Sequence, residues 1–288
     1  MARIYLVLGS TGMLGQALMR SLKYRGEYAI GLARKNADIC LDMTNTASLA
    51  GIVEKLNPDV VINAAAQVDL ATCEQNPAQS YLINTKVSGL FANHSAKYVY
   101  ISTDHYYTGD LDHKHTEEMP VNLCNEYART KYLGERLSLL NDNALVLRTN
   151  IVGFRGLPER PTFLEWVLKS LDQGEPFNMF TDIYTSCIDV HSFSKSVFDL
   201  LDNNIRGVIN LASSEVSSKK QFIEAVARRF GLSAEQGKSC LMMQTLTGIK
   251  RNESLGLEVA KAEHALGYRL PNLEEIVNNL AEDYENGL

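Results

Sequence analysis

The sequence predicts a doubly wound α/β fold, a parallel sheet with helices on both faces, followed by a smaller carboxyl-terminal lobe. Three observations predict it: apolar, β-branched runs alternate with helical patterns through the first half, the first run ends in glycines at three-residue intervals, and the rhythm breaks after Asn150. Near-continuous apolar strands separated by helices are covered on both faces, which is the habit of a parallel sheet.

The elements follow in order. Strands are read at Ile4–Leu8, Tyr28–Leu32, Asp59–Asn63, Tyr98–Ser102 and Ala144–Leu147. Between them, Leu14–Tyr24 and Thr46–Leu56 space apolar residues three and four apart, as one helical face requires. Pro158, Pro161 and Pro176 mark loops around a helix at Phe163–Leu171. A strand at 207–211 is expected to return to the main sheet, a helix follows at Lys219–Phe230, and helical patterns at Val259–Leu266 and Leu273–Tyr284 close the chain.

Composition sets the class. With 288 residues, 45% of them hydrophobic, the chain can bury a sizeable core. A net charge of −6 argues against a nucleic-acid surface. The five cysteines are scattered without a CxxC pair, which fits reduced thiols in a cytosol and neither a disulfide framework nor a zinc site. Ile4–Gly9 is too short for a signal core or a membrane span, so a cytoplasmic protein without membrane partners is expected.

The first strand runs into LGSTGMLGQAL, with Gly9, Gly12 and Gly15 at the turn. A strand-to-helix turn needs glycine where the chain turns tightly, where backbone approaches a pyrophosphate, and where helix packs on strand. The N–H groups of Thr11, Met13 and Leu14 at the helix start are then the phosphate ligands. The spacing is GxxGxxG, a partial match to the GxGxxG dinucleotide fingerprint, but it sits after the first strand of a βαβ pattern. The expected organisation is a dinucleotide-binding domain over 1–150 and a mainly substrate-binding lobe over 151–288. The acid that usually binds ribose lies ~20 residues beyond the glycines, where GLARKN supplies Arg34 and Lys35. That pair favours NADP, with NAD as the alternative, and Asp42 is the candidate partner for the adenosine.

The Tyr98–Ser102 strand ends in Ser102-Thr103-Asp104, and in an open parallel sheet the carboxyl ends of the strands face the ligand crevice. Some twenty residues later NEYARTKYLGE sets Tyr127 four residues before Lys131, on one helical face. With 13 tyrosines in 288 residues, roughly one such spacing arises by chance, so context must decide. The chemistry supports the pair. Free tyrosine titrates near ~10, and a nearby ammonium favours its phenolate. A hydroxyl such as Thr103 polarises a carbonyl by hydrogen bonding. Together these groups suit reduction of a ketone or its reverse.

GxxGxxG, NAAA at Asn63–Ala66, STD, YxxxK and the closing GE together resemble the extended short-chain dehydrogenase/reductase superfamily, and within it the dTDP-4-dehydrorhamnose reductase group. Further similarities run through RTNIVG at Arg148–Gly153, DIYTS at Asp182–Ser186, NLASSEVSSKKQF at Asn210–Phe222 and the tail RNESLGLEVAKAEHALGY. The resemblance implies a Rossmann-type fold and Thr103, Tyr127 and Lys131 as the catalytic trio. It adds Met43, Ala64, Ala65 and Ala66 to the cofactor contacts. Asp104, His105, Asn150 and Arg251 are the candidate substrate contacts, Arg251 through bidentate hydrogen bonds to a diphosphate; the resemblance implies a nucleotide sugar as substrate and a homodimer. Departures fall at the pocket: Ile151 replaces the group's tryptophan, His105-Tyr106-Tyr107 replace Tyr-Val-Phe, Ala128 replaces glycine and Asn252 replaces proline.

Three functions compete. A reductase of a 4-keto nucleotide deoxysugar leads, against an epimerase or dehydratase with tightly held NAD, and against a non-catalytic nucleotide-binding subunit. No metal site is expected. His113 and His115, with Glu117 and Glu118, are read as a solvated loop rather than as metal ligands. Trp166 is read as packing.

Overall fold

A computed structural model describes residues 3–242 and 248–287. Its main sheet has seven strands in the order Gly207–Asn210, β6 (Leu145–Arg148), β5 (Lys97–Ile101), β4 (Val60–Asn63), β1 (Ile4–Leu8), β2 (Tyr28–Ala33) and β3 (Ile39–Cys40). β1 pairs in parallel with β2 and β4, as do β2 with β3, β4 with β5, and β5 with β6. The strand interiors are fully buried apolar residues, including Leu6, Val61, Val99 and Val146. Helix α1 (Met13–Tyr24) turns Leu14, Ala17, Leu18 and Leu22 inward, and α2 (Thr46–Leu56) buries Leu49 and Val53.

The chain falls into two compact units that are discontinuous in sequence, whereas the sequence reading placed one boundary at residue 150. The first unit is Met1–Thr103, Leu123–Arg148 and Val197–Ile209; the second is Asp104–Asn122, Thr149–Ser196 and Asn210–Leu288. The first unit's core joins Leu6, Leu8, Leu32, Val61, Phe91, Tyr98 and Val146. The second unit's core joins Leu164, Val167, Phe222, Val226, Ile276 and Leu280, drawn from helices Phe163–Gln173, Lys219–Phe230 and Leu273–Glu285. Those three helices each begin with a reciprocal capping box, at Thr162/Glu165, Ser218/Gln221 and Asn272/Glu275.

Several elements differ from the sequence reading. Between β4 and β5 the chain forms helices Leu70–Gln75 and Pro77–Tyr81, a π-helical turn at Leu82–Lys86, and a last turn at Val87–Gly89. The helix Val190–Asp202 and the two- to four-residue strands of the second unit are also additional. Residues 102 and 144 lie just outside the strands assigned to them, and Ser102 N–H still donates to Leu147 O at 2.7 Å. No helix among the described residues is long and apolar enough to cross a membrane.

Candidate active site

The glycine turn is built by close approach. Gly9 has φ +80°, and a Cβ there would stand 2.8 Å from Ala65 N. A Cβ on Gly15 would run into Gly9 O and stand 2.7 Å from Ser10 Cα, so this glycine lets α1 pack on β1. Gly12 is different: a Cβ there would meet only Gly9 O, at 3.3 Å. Gly12 is the N-cap of α1, with no side-chain cap bond and no acidic residue in the first turn. The helix therefore offers its first N–H groups, and its positive dipole end, to an anion. Ser10 Oγ is buried without a hydrogen-bond partner among the described residues. An uncapped helix start, a cradle that a side chain would fill and an orphaned buried hydroxyl together fit a dinucleotide phosphate.

At the end of β2, Arg34 and Lys35 are exposed. Asp42 accepts hydrogen bonds from Thr44 N at 3.0 Å and Thr44 Oγ1 at 2.7 Å; these bonds, with the Arg34 charge nearby, hold its carboxyl below the usual range. Met43 is buried in the core, while Ala64, Ala65 and Ala66 follow β4 half-buried. Sequence reasoning missed Asp38, whose carboxylate accepts from Gly31 N at 2.7 Å and so completes the ladder where β3 begins.

The helix Glu126–Ser138 carries the Tyr-Lys pair. Asn125 caps it by accepting from Ala128 N at 2.8 Å, and Tyr127 and Lys131 are both buried. Lys131 Nζ donates to Ile101 O, the last residue of β5, at 2.6 Å and lies 4.3 Å from the centre of the Tyr100 ring. Burial pushes Lys131 down to about 7, opposed by the Glu135 carboxylate. Thr103, 2% exposed, lies two residues beyond that carbonyl.

The π turn locks this arrangement, a feature the sequence reading did not single out. Asn84 O accepts from Tyr100 Oη at 2.7 Å, while Asn84 Nδ2 donates to Thr130 Oγ1 at 3.1 Å. Thr85 Oγ1 donates to Thr130 O at 2.7 Å. A π turn leaves a carbonyl outside the regular ladder, available to a neighbour, and such turns gather at functional sites.

In the second unit, Asp104 is 1% exposed and accepts from Asn150 Nδ2 at 2.8 Å and Thr185 Oγ1 at 3.3 Å. Burial pushes its carboxyl up, against the pull of His105, Asn150 and Lys219. His105 Nε2 is 3.9 Å from Asp104 Oδ1; burial pushes the imidazole down, Asp104 opposes it, and Lys219 and Arg251 reinforce it. The structure thus brings Asp104, His105 and Asn150 together and adds Thr185, which sequence reasoning did not name. Arg251 is exposed, with its charge felt at His105.

The reading of His115 as part of a solvated loop is corrected. His115 is 2% exposed, pairs through Nδ1 with Gly256 O at 2.9 Å, and stacks on Tyr107 at 4.0 Å between centroids. Among the described residues no group of His, Cys, Asp and Glu is placed to hold a metal ion. Trp166 is 39% exposed and packs against Phe163 and Phe177.

A family model described as the RmlD substrate binding domain matches residues 3–286. The chain belongs to that family. As a member of the RmlD substrate binding domain family it is 27% identical over 282 residues to the probable low-salt glycan biosynthesis reductase of Haloferax volcanii, spanning 93% of this chain and 94% of that one. It is 25% identical over 287 residues to methionine adenosyltransferase 2 subunit beta of Pongo abelii, spanning 93% and 84%. A solved structure of dTDP-4-dehydrorhamnose reductase from Bacillus anthracis in complex with NADP aligns with a TM-score of 0.88 at 20% identity, over 98% of this chain and 100% of that one. That last likeness speaks to the fold. The family membership agrees with the resemblance to extended short-chain dehydrogenases/reductases.

Proposed function

We propose that the chain is an NADP(H)-dependent oxidoreductase that reduces the 4-keto group of a nucleotide-linked deoxysugar. The observation that carries this reading is the buried Tyr127–Lys131 stripe anchored to the end of β5, next to Thr103. The name of the Haloferax relative, a reductase of glycan biosynthesis, and the NADP complex of the Bacillus reductase point the same way.

In this reading Gly9, Thr11, Gly12, Met13, Leu14 and Gly15 hold the cofactor's pyrophosphate, Ala64–Ala66 flank it, and Arg34 meets a 2′-phosphate. A bound nicotinamide dinucleotide supplies hydride to the carbonyl carbon. Thr103 donates a hydrogen bond to the carbonyl oxygen, and Tyr127 gives that oxygen its phenolic proton as negative charge builds there. The Lys131 ammonium lowers the cost of the phenolate left behind. Asp104, His105, Asn150 and Arg251 contact the sugar nucleotide. A cytoplasmic homodimer belongs to the same reading and is checked by cell fractionation and sedimentation.

The test is a turnover screen of nucleotide-4-keto-sugars with NADPH and NADH. Oxidation of NADPH that requires Tyr127 supports the proposal; no turnover with any such sugar refutes it. NAD retained through dialysis would instead favour an epimerase or dehydratase. A second reading, a non-catalytic nucleotide-binding subunit, is favoured by the likeness to methionine adenosyltransferase 2 subunit beta. It requires a stable complex with a partner enzyme and no keto reduction.

A further inference from the structure

Beyond the Tyr127–Lys131 pair, two buried polar groups of the first unit, from the ends of β5 and β6, converge on one side chain. Glu135, fully buried, stands one helical turn past Lys131 on the same face. Its Oε2 accepts from Ser102 Oγ at 2.9 Å and Arg148 Nε at 3.1 Å, and its Oε1 accepts from Arg148 Nη2 at 2.7 Å. Ser102 follows the β5 residue whose carbonyl holds Lys131, and Arg148 is the last residue of β6. Two consecutive residues at the β5 exit are thus stitched to two consecutive turns of the helix, and Thr103 is the next residue along.

We propose that Glu135, clamped by Arg148, is a positioning residue that fixes Thr103 in register with Tyr127 and holds the proton on Lys131. Its importance for catalysis rests on the reductase reading above. A buried ion pair is a weak source of stability, because apolar residues of the same volume serve as well, so packing alone does not account for it. Around Lys131 stand Glu135 on its own helix, the Cys73 thiol on Leu70–Gln75, and the Ile101 carbonyl and Tyr100 ring on β5, with Tyr127 one helical turn earlier on the same face; Arg148 on β6 stands across Glu135. Glu135 is the carboxylate in that set. It therefore opposes the desolvation that would strip Lys131 of its proton.

The experiment titrates the Lys131 side chain by NMR in ε-labelled protein, with the Lys131→Met spectrum giving the assignment. Glu135→Gln deletes the favourable charge and leaves the Arg148 cation behind. The Lys131 midpoint should fall, by about tenfold in proton affinity. Glu135→Gln/Arg148→Met removes both charges together, a change buried pairs tolerate, and its midpoint should lie between the single variant's and the parent's. Either folded variant titrating like the parent overturns the electrostatic role, and the double variant decides if the single one does not fold. Ser102→Ala keeps every charge, so it should leave the Lys131 midpoint and NADPH affinity in place and lower kcat about tenfold, a fraction of the roughly 10²- to 10⁴-fold that positioned acid–base catalysis contributes. Unchanged kcat overturns the positioning role. The titration needs no substrate, so a parent that reduces no keto sugar refutes the reductase reading and leaves the Lys131 result standing.

Discussion

Gly134→Ala tests the packing that holds the Tyr-Lys helix. A Cβ at Gly134 would overlap Asn84 O and Tyr100 Oη and stand 2.8 Å from Tyr100 Cζ. Heavy atoms need roughly 3.5 Å, and Asn84 O is backbone, so the helix and the π turn must part. Overpacking of this kind costs about 1–3 kcal/mol. The Tyr100 Oη to Asn84 O bond, 2.7 Å in the intact protein, is lost or stretched, at about 1 kcal/mol. Against this, alanine is better than glycine in a helix by about 1 kcal/mol. The net is a destabilisation of about 1–3 kcal/mol. Urea unfolding measures it, with Gly51→Ala as the control: Gly51 lies in α2 with nothing within 4 Å of an added Cβ, so that variant should gain the helix preference alone. A Gly134→Ala protein as stable as Gly51→Ala would refute the close packing of the helix on the π turn.

Four further outcomes are expected. Tyr127→Phe should keep fold and cofactor affinity and lower turnover about 10²- to 10⁴-fold, the span of positioned acid–base catalysis; steady-state kinetics decide. Gly12→Val should fold and lose dinucleotide binding by calorimetry, because an added Cβ there meets only Gly9 O within the protein, whereas Gly15→Val should lower the melting temperature sharply. Arg34→Ala should weaken NADPH about tenfold while leaving NADH unchanged, since only NADPH carries the charge it reads; equal losses would remove Arg34 from cofactor choice. Asp104→Asn should flatten a pH dependence of stability. Burial raises the native carboxyl above its ordinary 3.8, so the parent binds more protons folded than unfolded and loses stability as pH rises from 3.8 through the raised value. The variant has no such group, and parallel melting curves across that window would refute the raised carboxyl.

The sequence was legible where one period dominates. β1, β2 and β4 are short apolar runs between turn residues, and the i, i+4 spacing of Tyr127 and Lys131 is a direct consequence of helix geometry. It was not legible between Leu70 and Gly89, where three helical segments and a π turn of Leu82–Lys86 keep no constant period. Helix Val190–Asp202 hid behind its serines. Ser194 and Ser196 are buried where a sequence pattern expects apolar residues, and Ser194 Oγ is satisfied by donating to Val190 O at 2.7 Å. His115 misled for a related reason: its neighbours in sequence are polar, but its partners, Gly256 and Tyr107, come from tertiary structure. Glu135 and Arg148 were visible as letters of recurrent motifs, and only the fold shows that they are one buried pair.

Cofactor choice turns on charges whose partners the sequence cannot supply. An acid in this stretch would ordinarily argue for NAD, and the chain has two, Asp38 and Asp42. Both are engaged. Asp38 is held by Gly31 N at the sheet edge, and Asp42 by both the backbone and the hydroxyl of Thr44. A carboxylate already accepting such bonds gains less from a ribose hydroxyl, because a new bond must replace or share an existing one. Arg34 and Lys35 are exposed at the end of β2, and Arg34 is near enough to Asp42 for its charge to help keep that carboxylate ionised. On the proposed reading, the weight of recognition therefore falls on the two cations rather than the acids. Exposed cations read a phosphate through charge, which salt screens. An NADPH preference built this way should shrink as ionic strength rises, whereas one built on a buried, bidentate contact would persist.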